Sequence, residues 1–410
     1  MRNRPLVNVR LGLASLLVAA PLGAQGTPVP EGAPKPTHLV RVEWSHFAPM
    51  RDGVKLSADW YFPADLSGRL PTILIRTPYN KKTFRLDRGA ATWFAGHGYA
   101  VVVQDVRGKY ESDGVFTTSA NDRNDGYDTM AWIAAQPWTT GKVGTYGCSY
   151  QGEDQVQLAA MRHPAHAAAI PQAAGIKRHP KRTLSNMLPI ATITEKAGSA
   201  PNDWKDFVTH PPEDPFWKRF GSIEPSDSFD VPALHVNSWY DPAVGGTAVL
   251  FNQMRTNGGS AGRDHQYLLI SPTPHCGSER GSAEKTTIGE RNLGDTRFDW
   301  FGTYLKWFDQ YYAMGRNRWQ SAATFPFAEP TPFYFHSDGR ANSRFGSGTL
   351  SVVQPRTEPA DRYLYDPGSP VPSKAGPICC TGSNERTAPR STSRRALSEP
   401  AIATDTGIRS

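Results

Sequence analysis

Short apolar runs alternate with helical segments along the middle of the chain. Residues 71–75 and 99–104 are almost wholly apolar, which is typical of strands buried on both faces of a sheet. Two further runs flank the turn signal Asp52-Gly53 and predict a β-hairpin. The remaining predictions are strands at 142–146, 167–170, 231–236 and 266–270, and helices at 125–135, 153–162 and 298–312. Strands that alternate with helices predict an α/β fold whose mostly parallel sheet is covered on both faces.

Two segments depart from this alternation. Residues 177–230 place Trp/Phe-containing stretches among many prolines, which favours a small helical cap inserted between two strands. After about residue 326 the pattern becomes all-β, and no aromatic residue follows Tyr365, so the Ser/Thr/Arg/Pro-rich end of the chain is expected to be disordered. The predicted boundaries are 38–176 and 231–315 for the α/β domain, 177–230 for the cap, 326–375 for a partial β-domain and 376–410 for the tail.

The first 24 residues have the pattern of a secretory signal peptide. An apolar run at 11–20 is preceded by three arginines, Arg2, Arg4 and Arg10. Small residues after the run lead to a cleavage site after Ala24. The alternative is a membrane anchor, but the run has only about half of the ~20 apolar residues that a spanning helix needs. We therefore expect no stable membrane anchor and a secreted or periplasmic protein, in a compartment where disulfides persist.

The net charge of +7 does not indicate a nucleic-acid partner. Residues 1–24 carry +3 and residues 381–410 carry +2, so the basic balance lies mostly at the two ends. The body between them has no basic stripe with interleaved aromatic residues. It also has no cluster with metal-ligand spacing and no glycine-rich phosphate loop, so neither a metal nor a cofactor is expected.

The segment 147–152 (GCSYQG) carries the candidate nucleophile, Ser149. It lies between a predicted buried strand and a predicted helix, and a sharp turn there holds a serine hydroxyl clear of the backbone. The N–H of the next residue, Tyr150, points to where an oxyanion would form. The match to G-x-S-x-G is imperfect, because Gln151 stands at the second glycine position and Gly152 follows it. Taken alone, such a string is also compatible with an ordinary turn.

A nucleophilic serine needs a base, and the base needs an orienting acid. Asp241 and His275 each follow a predicted strand, in the chain order serine, acid, histidine that α/β-hydrolases use. Both therefore fall at the carboxyl ends of strands, where open α/β sheets carry their sites. The alternatives are that Asp241 is a turn residue and His275 a loop histidine. Asp264 and His265 are rivals, but they precede their strand and would lie at the opposite edge of the sheet.

Together these residues resemble the cocaine esterase, α-amino acid ester hydrolase and Xaa-Pro dipeptidyl-peptidase family of serine hydrolases. The resemblance covers roughly residues 38–375 and rests on motifs in the family's order: MRDGVKL at 50–56, RTPYN at 76–80, DVRG at 105–108, SDG at 112–114, DGYD at 125–128, QPW at 136–138, GKVG at 141–144, SYQG at 149–152, WYD at 239–241 and His275. The resemblance implies an α/β-hydrolase fold and a triad of Ser149, Asp241 and His275. It also implies that the Tyr79 hydroxyl and the Tyr150 N–H form the oxyanion hole.

Two cysteines adjoin the predicted triad. Cys148 precedes the candidate nucleophile and Cys276 follows the candidate base. Serine and histidine side chains that must come within about 3 Å of each other bring these neighbours close to disulfide distance. The arrangement is similar to that of tannases and feruloyl esterases, in which a disulfide ties nucleophile to base. We therefore predict a Cys148–Cys276 bridge, with two free buried thiols as the alternative.

The resemblance predicts hydrolysis of a small-molecule ester or of a peptide. Trp204, Trp217 and Trp239 are predicted to line the substrate pocket, and a peptidase would also need a buried carboxylate for the substrate amine, for which Glu153 and Asp154 are candidates. The family's third domain, a jelly roll, is expected to extend beyond the strands present here. A catalytically inactive truncated form and a binding-only protein are therefore the alternatives, and the oligomeric state is not predicted.

Overall fold

An eight-stranded sheet with helices on both faces forms the main body of the protein. The computed structural model describes residues 34–82, 85–117, 119–175, 209–210, 214, 223–280, 287–288, 291–313, 334–341 and 347–361. The strands are β1 Val40–Pro49, β2 Lys55–Pro63, β3 Leu70–Thr77, β4 Ala100–Asp105, β5 Thr139–Cys148, β6 His166–Gln172, β7 Ala233–Tyr240 and β8 Gln266–Pro274. Their order is β1-β2-β4-β3-β5-β6-β7-β8, with β1–β2 and β2–β4 antiparallel and all other pairs parallel. The predicted α/β class is confirmed.

The pleat of the central strands divides the core into two layers. Ile73 and Ile75 of β3 face one side of the sheet, where they pack with aromatic residues of the first and last helices, and Leu74 faces the other. The residues of both layers are buried from solvent, which is why these strands are almost wholly apolar. The helices are α1 Arg85–Ala95, α2 Asp122–Ala134, α3 Tyr150–Ala159, α4 Val244–Asn257, α5 Ser260–Arg263 and α6 Trp300–Ala313, with a 3-10 turn at Ser278–Arg280.

Helices α1 and α4 were not predicted from the sequence. Helix α4 begins Val-Gly-Gly-Thr, residues with low helix propensity, so its local signal is weak. Its stability comes from tertiary packing, because Leu250 and Met254 are buried against the sheet. Across the described residues, every helix is too short or too polar to span a lipid bilayer.

Outside the main sheet the structure describes two short hairpins. One pairs β9 (Thr287–Ile288) with β10 (Arg291–Asn292), and the other pairs β11 (Tyr334–His336) with β12 (Thr349–Ser351). The second hairpin lies within the range 326–375 predicted for the partial β-domain. The last part of the predicted partial β-domain, the predicted tail, most of the predicted cap and the two cap tryptophans, Trp204 and Trp217, lie outside the described residues.

Candidate active site

Ser149 lies in the turn between β5 and α3. Its backbone has φ 64° and ψ −124°, a conformation that costs free energy for a residue with a side chain. Three hydrogen bonds hold the turn: the Ser149 N–H donates to Gln172 O (3.0 Å), and the Ser149 carbonyl accepts from Gly152 N–H (2.8 Å) and Glu153 N–H (2.9 Å). The side chain is only half-buried, so the turn presents its hydroxyl at the carboxyl edge of the sheet.

Glycine is required on both sides of this turn for lack of space. Gly147 has φ +146°, and a Cβ there would lie 2.5 Å from Gln151 Cβ. A Cβ on Gly152 would lie 2.1 Å from Gln172 O in β6. Gln151 occupies the place of a motif glycine without conflict, because its amide oxygen accepts from Cys148 N–H (3.4 Å). The spacing G-x-S-x-x-G therefore follows from the atoms that crowd these two positions, a side-chain atom at Gly147 and a backbone oxygen at Gly152.

His275 and Asp241 form a hydrogen-bonded pair beyond the ends of β7 and β8. The distance from His275 Nδ1 to Asp241 Oδ2 is 2.5 Å, the aspartate side chain is fully buried and the histidine side chain is 14% exposed. Asp241 Oδ1 accepts from Ala243 N–H (2.7 Å), which fixes the carboxylate plane. With Nδ1 turned to the carboxylate, Nε2 is the ring nitrogen that faces away from it, as a general base requires.

Tyr79 lies beside the candidate nucleophile. Its hydroxyl donates to Ser149 Oγ at 3.5 Å, and its ring packs against a buried cluster of Val106, Phe116 and Tyr150. The Tyr150 hydroxyl accepts from a backbone N–H in the loop before α2, and burial raises the pKa of Tyr150 well above its usual value. The phenol is therefore neutral, and its hydrogen bond anchors the first turn of α3. The backbone N–H groups of this first turn have no partner within the helix.

A buried lysine anchors the loop that carries Tyr79. The Lys81 N–H donates to Asp105 Oδ1 (2.7 Å), and the Lys81 ammonium, which is fully buried, lies 3.1 Å from Asp59 Oδ1 and 2.6 Å from Glu111 Oε2. Burial is the largest influence on Asp105 and raises the pKa of that carboxyl to about 7. The loop is thus attached to β2, β4 and the segment after β4 through a fully buried ammonium and its carboxylate partners.

The turn after β8 is tied to the strand that ends at the candidate nucleophile. The structure contains the Cys148–Cys276 disulfide, with a Cα–Cα distance of 5.9 Å. Glu279, which the sequence reasoning did not identify, accepts from the Tyr146 hydroxyl and from Gln172 Nε2 (2.9 Å). Both contacts connect the segment around His275 to β5 and β6, which flank Ser149.

Two other charged residues of this region, Arg107 of the DVRG motif and the candidate Asp154, have structural partners. Arg107 bridges Asp52 and Asp125. Asp154, considered for binding a substrate amine, is buried and interacts electrostatically with the buried Arg76. The structure therefore assigns Asp154 to the packing of α3. Trp239, the third predicted pocket residue, lies at the end of β7 and is 58% exposed in the described structure.

Within the described ranges, no group of three or more His, Cys, Asp or Glu side chains has the geometry of a metal site. The geometry instead brings Ser149, the His275–Asp241 pair and Tyr79 to one edge of the sheet. The fold and this site together define an α/β-hydrolase. The chain belongs to the X-Pro dipeptidyl-peptidase (S15) family, whose sequence model matches residues 52–186 and 179–277.

Individual relatives agree with this assignment. The chain is similar to the cocaine esterase of Rhodococcus sp. (strain MB1 Bresler), with 29% identity over 399 residues covering 80% of this chain and 68% of that protein. Among solved structures, a CocE/NonD family hydrolase from Staphylococcus aureus superposes with a TM-score of 0.53 at 19% identity, covering 76% of this chain and 55% of that chain. An α-amino acid ester hydrolase gives 0.50 at 22% identity, covering 80% and 61%. These structures show the fold, and the chain spans little more than half of them.

Proposed function

We propose that this protein is a serine hydrolase that cleaves carboxylic esters through an acyl-enzyme. His275 removes the Ser149 proton as the hydroxyl attacks the substrate carbonyl, and Asp241 holds the imidazole in its reactive tautomer and stabilises its charged form. The Tyr79 hydroxyl and the Tyr150 N–H stabilise the tetrahedral oxyanion, and His275 gives its proton to the alcohol that leaves as the acyl-enzyme forms. Water activated by His275 then attacks the acyl-enzyme, which releases the acid and restores the Ser149 hydroxyl. The observation that carries the proposal is the Tyr79 hydroxyl 3.5 Å from Ser149 Oγ, next to a turn disulfide-linked to the His275 segment.

An ester is favoured over a peptide as the substrate. A dipeptidyl-peptidase binds the free amine of its substrate, which requires a carboxylate free to face the site. Of the two acids considered for that role, Asp154 is buried near Arg76, which leaves Glu153 as the candidate for an amine-binding role. The similarity to cocaine esterase supports an ester substrate, whereas the name of the matching family supports an Xaa-Pro peptide as the second candidate.

The first test is covalent labelling. A fluorophosphonate probe should modify Ser149 in the wild-type protein, as located by peptide mass, and labelling should be lost in Ser149→Ala and His275→Ala. A folded wild-type protein that does not react would contradict the proposal and favour the inactive or binding-only alternative. Short-chain p-nitrophenyl esters and an Xaa-Pro-p-nitroanilide then separate esterase from peptidase, and we expect turnover of the esters.

We also propose that the protein is exported. The pattern of residues 1–24 supports cleavage after Ala24, and the Cys148–Cys276 bridge fits an oxidising compartment. Expression in a bacterial host with a functional export pathway should give a mature protein whose first residue is Gln25. N-terminal sequencing that finds Met1 on folded protein from the periplasm or medium would contradict this.

A further inference from the structure

Four hydroxyl side chains form a buried cluster beneath the His275–Asp241 pair. Ser238 lies on β7, Ser271 and Thr273 lie on β8, and Ser278 opens the 3-10 turn that follows His275. Each of the four is 3% exposed or less. Ser238 and Ser271 are direct partners in the parallel β7–β8 pairing, so the register of the two strands brings the hydroxyls together.

Ser271 is the hub of this hydroxyl cluster. Its Oγ lies 2.9 Å from Ser238 Oγ, 2.5 Å from Thr273 Oγ1 and 2.8 Å from Ser278 Oγ, and it reaches the Asn237 carbonyl at 3.3 Å. Ser238 Oγ also lies 3.0 Å from Thr273 Oγ1 and 3.3 Å from Ser278 Oγ. Each hydroxyl has one proton to donate and two lone pairs to accept with. The cluster is therefore a connected network, in which removal of one member leaves its neighbours with fewer partners.

The position of the cluster relates it to the acid and the base. The Ser238 carbonyl accepts the Asp241 N–H at 3.0 Å, so the strand that presents the acid is also the strand that carries one hydroxyl. Ser278 lies three residues after His275, on the far side of the turn that presents the base. The hydroxyl cluster thus joins the acid's strand to both sides of the base's turn.

Other contacts connect the turn of His275 to different strands of the sheet. The Cys148–Cys276 bridge and the Glu279 contacts run to β5 and β6, the strands beside the candidate nucleophile. These contacts join the turn of His275 to the part of the sheet that carries Ser149. Besides the His275–Asp241 hydrogen bond, the hydroxyl cluster connects the turn to the strand of Asp241.

We propose that the hydroxyl cluster positions His275 against Asp241, with Ser271 as its hub and Ser278 as the contact to the histidine turn. This inference rests on the proposed function, because it assigns these residues to the chemistry of that triad. They are positioning residues: they act through the His275–Asp241 hydrogen bond and do not touch the substrate.

The test compares matched isosteric substitutions. Thr273→Val and Ser278→Ala remove hydroxyls from the cluster, whereas Thr72→Val removes a fully buried hydroxyl that pairs with Thr139 Oγ1 (2.9 Å) near the opposite end of the sheet. All three should lower the unfolding temperature by similar small amounts, since each hydroxyl has two hydrogen-bond contacts to lose. Only the two cluster variants should lower kcat for a p-nitrophenyl ester, by about 10-fold with little change in KM, because a misplaced base affects the transition state more than binding.

Two further measurements separate positioning from general stability. Ser278→Thr retains the hydroxyl and should restore most of the lost kcat. In an Asp241→Asn background, Ser278→Ala should have little further effect on the rate of fluorophosphonate labelling, because residues that act through one another are not additive. A kcat loss no larger than that of Thr72→Val, or a full 10-fold loss in the Asp241→Asn background, would overturn the inference.

An NMR readout keeps this inference distinct from the proposed function. The proton between His275 Nδ1 and Asp241 should give a far-downfield resonance in the wild-type protein and in Thr72→Val, and this signal should be lost or broadened in Ser278→Ala. A signal unchanged in Ser278→Ala would overturn the positioning role even if the enzyme is active. A wild-type protein that shows the signal and loses it in Ser278→Ala, but is not labelled at Ser149, would refute the proposed function and leave the geometric role supported.

Discussion

The substitution Gly152→Ala should damage both the stability and the chemistry of this protein. Gly152 lies in the first turn of α3, where alanine would ordinarily be the better helix former. Here an added Cβ would lie 2.1 Å from Gln172 O and 3.1 Å from Gln172 C and N. Ordinary contacts lie near ~3.5 Å, so the oxygen or the helix must move by more than ~1 Å.

The backbone of Gln172 cannot move freely. Gln172 belongs to β6, where it pairs with Cys148 of β5 and Val236 of β7, and its carbonyl accepts the Ser149 N–H. Overpacking of a well-packed core costs about 1–3 kcal/mol, and a contact of this shortness with a backbone atom places the substitution at or above the upper value. Because the displaced carbonyl holds the candidate nucleophile, a shift of ~1 Å should also slow acylation by about 100-fold.

The assay is thermal unfolding together with the rate of fluorophosphonate labelling at Ser149. The matched control is Gly89→Ala, which also lies within a helix but whose Cβ would meet nothing within 4 Å. That control should gain about 0.5–1 kcal/mol of stability and keep the wild-type labelling rate. If Gly152→Ala unfolds at or above the wild-type temperature and labels at the wild-type rate, the steric argument for the nucleophile turn is wrong.

Three further predictions concern the disulfide and the buried ionisable groups. Cys276→Ser removes a bridge that spans 128 residues and should lower the free energy of unfolding by about 4 kcal/mol in urea titrations; equal stability with and without reductant would contradict this. Burial lowers the pKa of His166 to about 3 and of His235 to about 4, so both stay neutral in the folded protein at pH values where the unfolded chain is protonated. The free energy of unfolding is therefore highest above pH ~6.5 and falls by about 2.5 kcal/mol for each histidine at pH 4.5. The free energy of unfolding of His166→Asn should change less between pH 4.5 and 7 than that of the wild type. An equal pH dependence in the two proteins would show that His166 does not cause the loss of stability. Burial raises the pKa of Asp105 to about 7, so the wild type loses stability as pH rises from 5 to 8, and Asp105→Asn should gain about 2–3 kcal/mol relative to it over that range; a constant difference between the two proteins would count against a buried, protonated Asp105.

The parts of the site that the sequence predicted are those with local signals. A strand, a glycine-bounded turn and a helix surround Ser149, and Asp241 and His275 each follow an apolar run, so order and placement identify them without long-range information. The Cys148–Cys276 bridge could be predicted for the same reason, because each cysteine is adjacent in sequence to a predicted triad residue. Within the described residues, these side chains do lie at one edge of the sheet.

The parts that were missed depend on contacts between distant segments. Glu279 has no motif, and its role is visible only once the turn after β8 lies against Tyr146 and Gln172. The hydroxyl cluster depends on the β7–β8 register, since a shift of one residue would turn Ser271 to the other face of the sheet. Serine and threonine in an apolar strand are also uninformative before their partners are known, because the same residues occur at exposed positions.

Two turns, one at Ser149 and one at Cys276, determine the geometry of the site more than the three predicted triad residues do. Ser149 has φ 64° and Cys276 has φ 51°, so both the turn of the nucleophile and the turn of the base hold a residue with a side chain in the left-handed region. Such conformations persist only where the surroundings over-determine them. Here one disulfide links the two turns, hydrogen bonds to Gln172 brace the first, and the hydroxyl cluster braces the second. A change in any of these braces should therefore alter the chemistry before it unfolds the sheet, because the strands retain their own core when a turn relaxes.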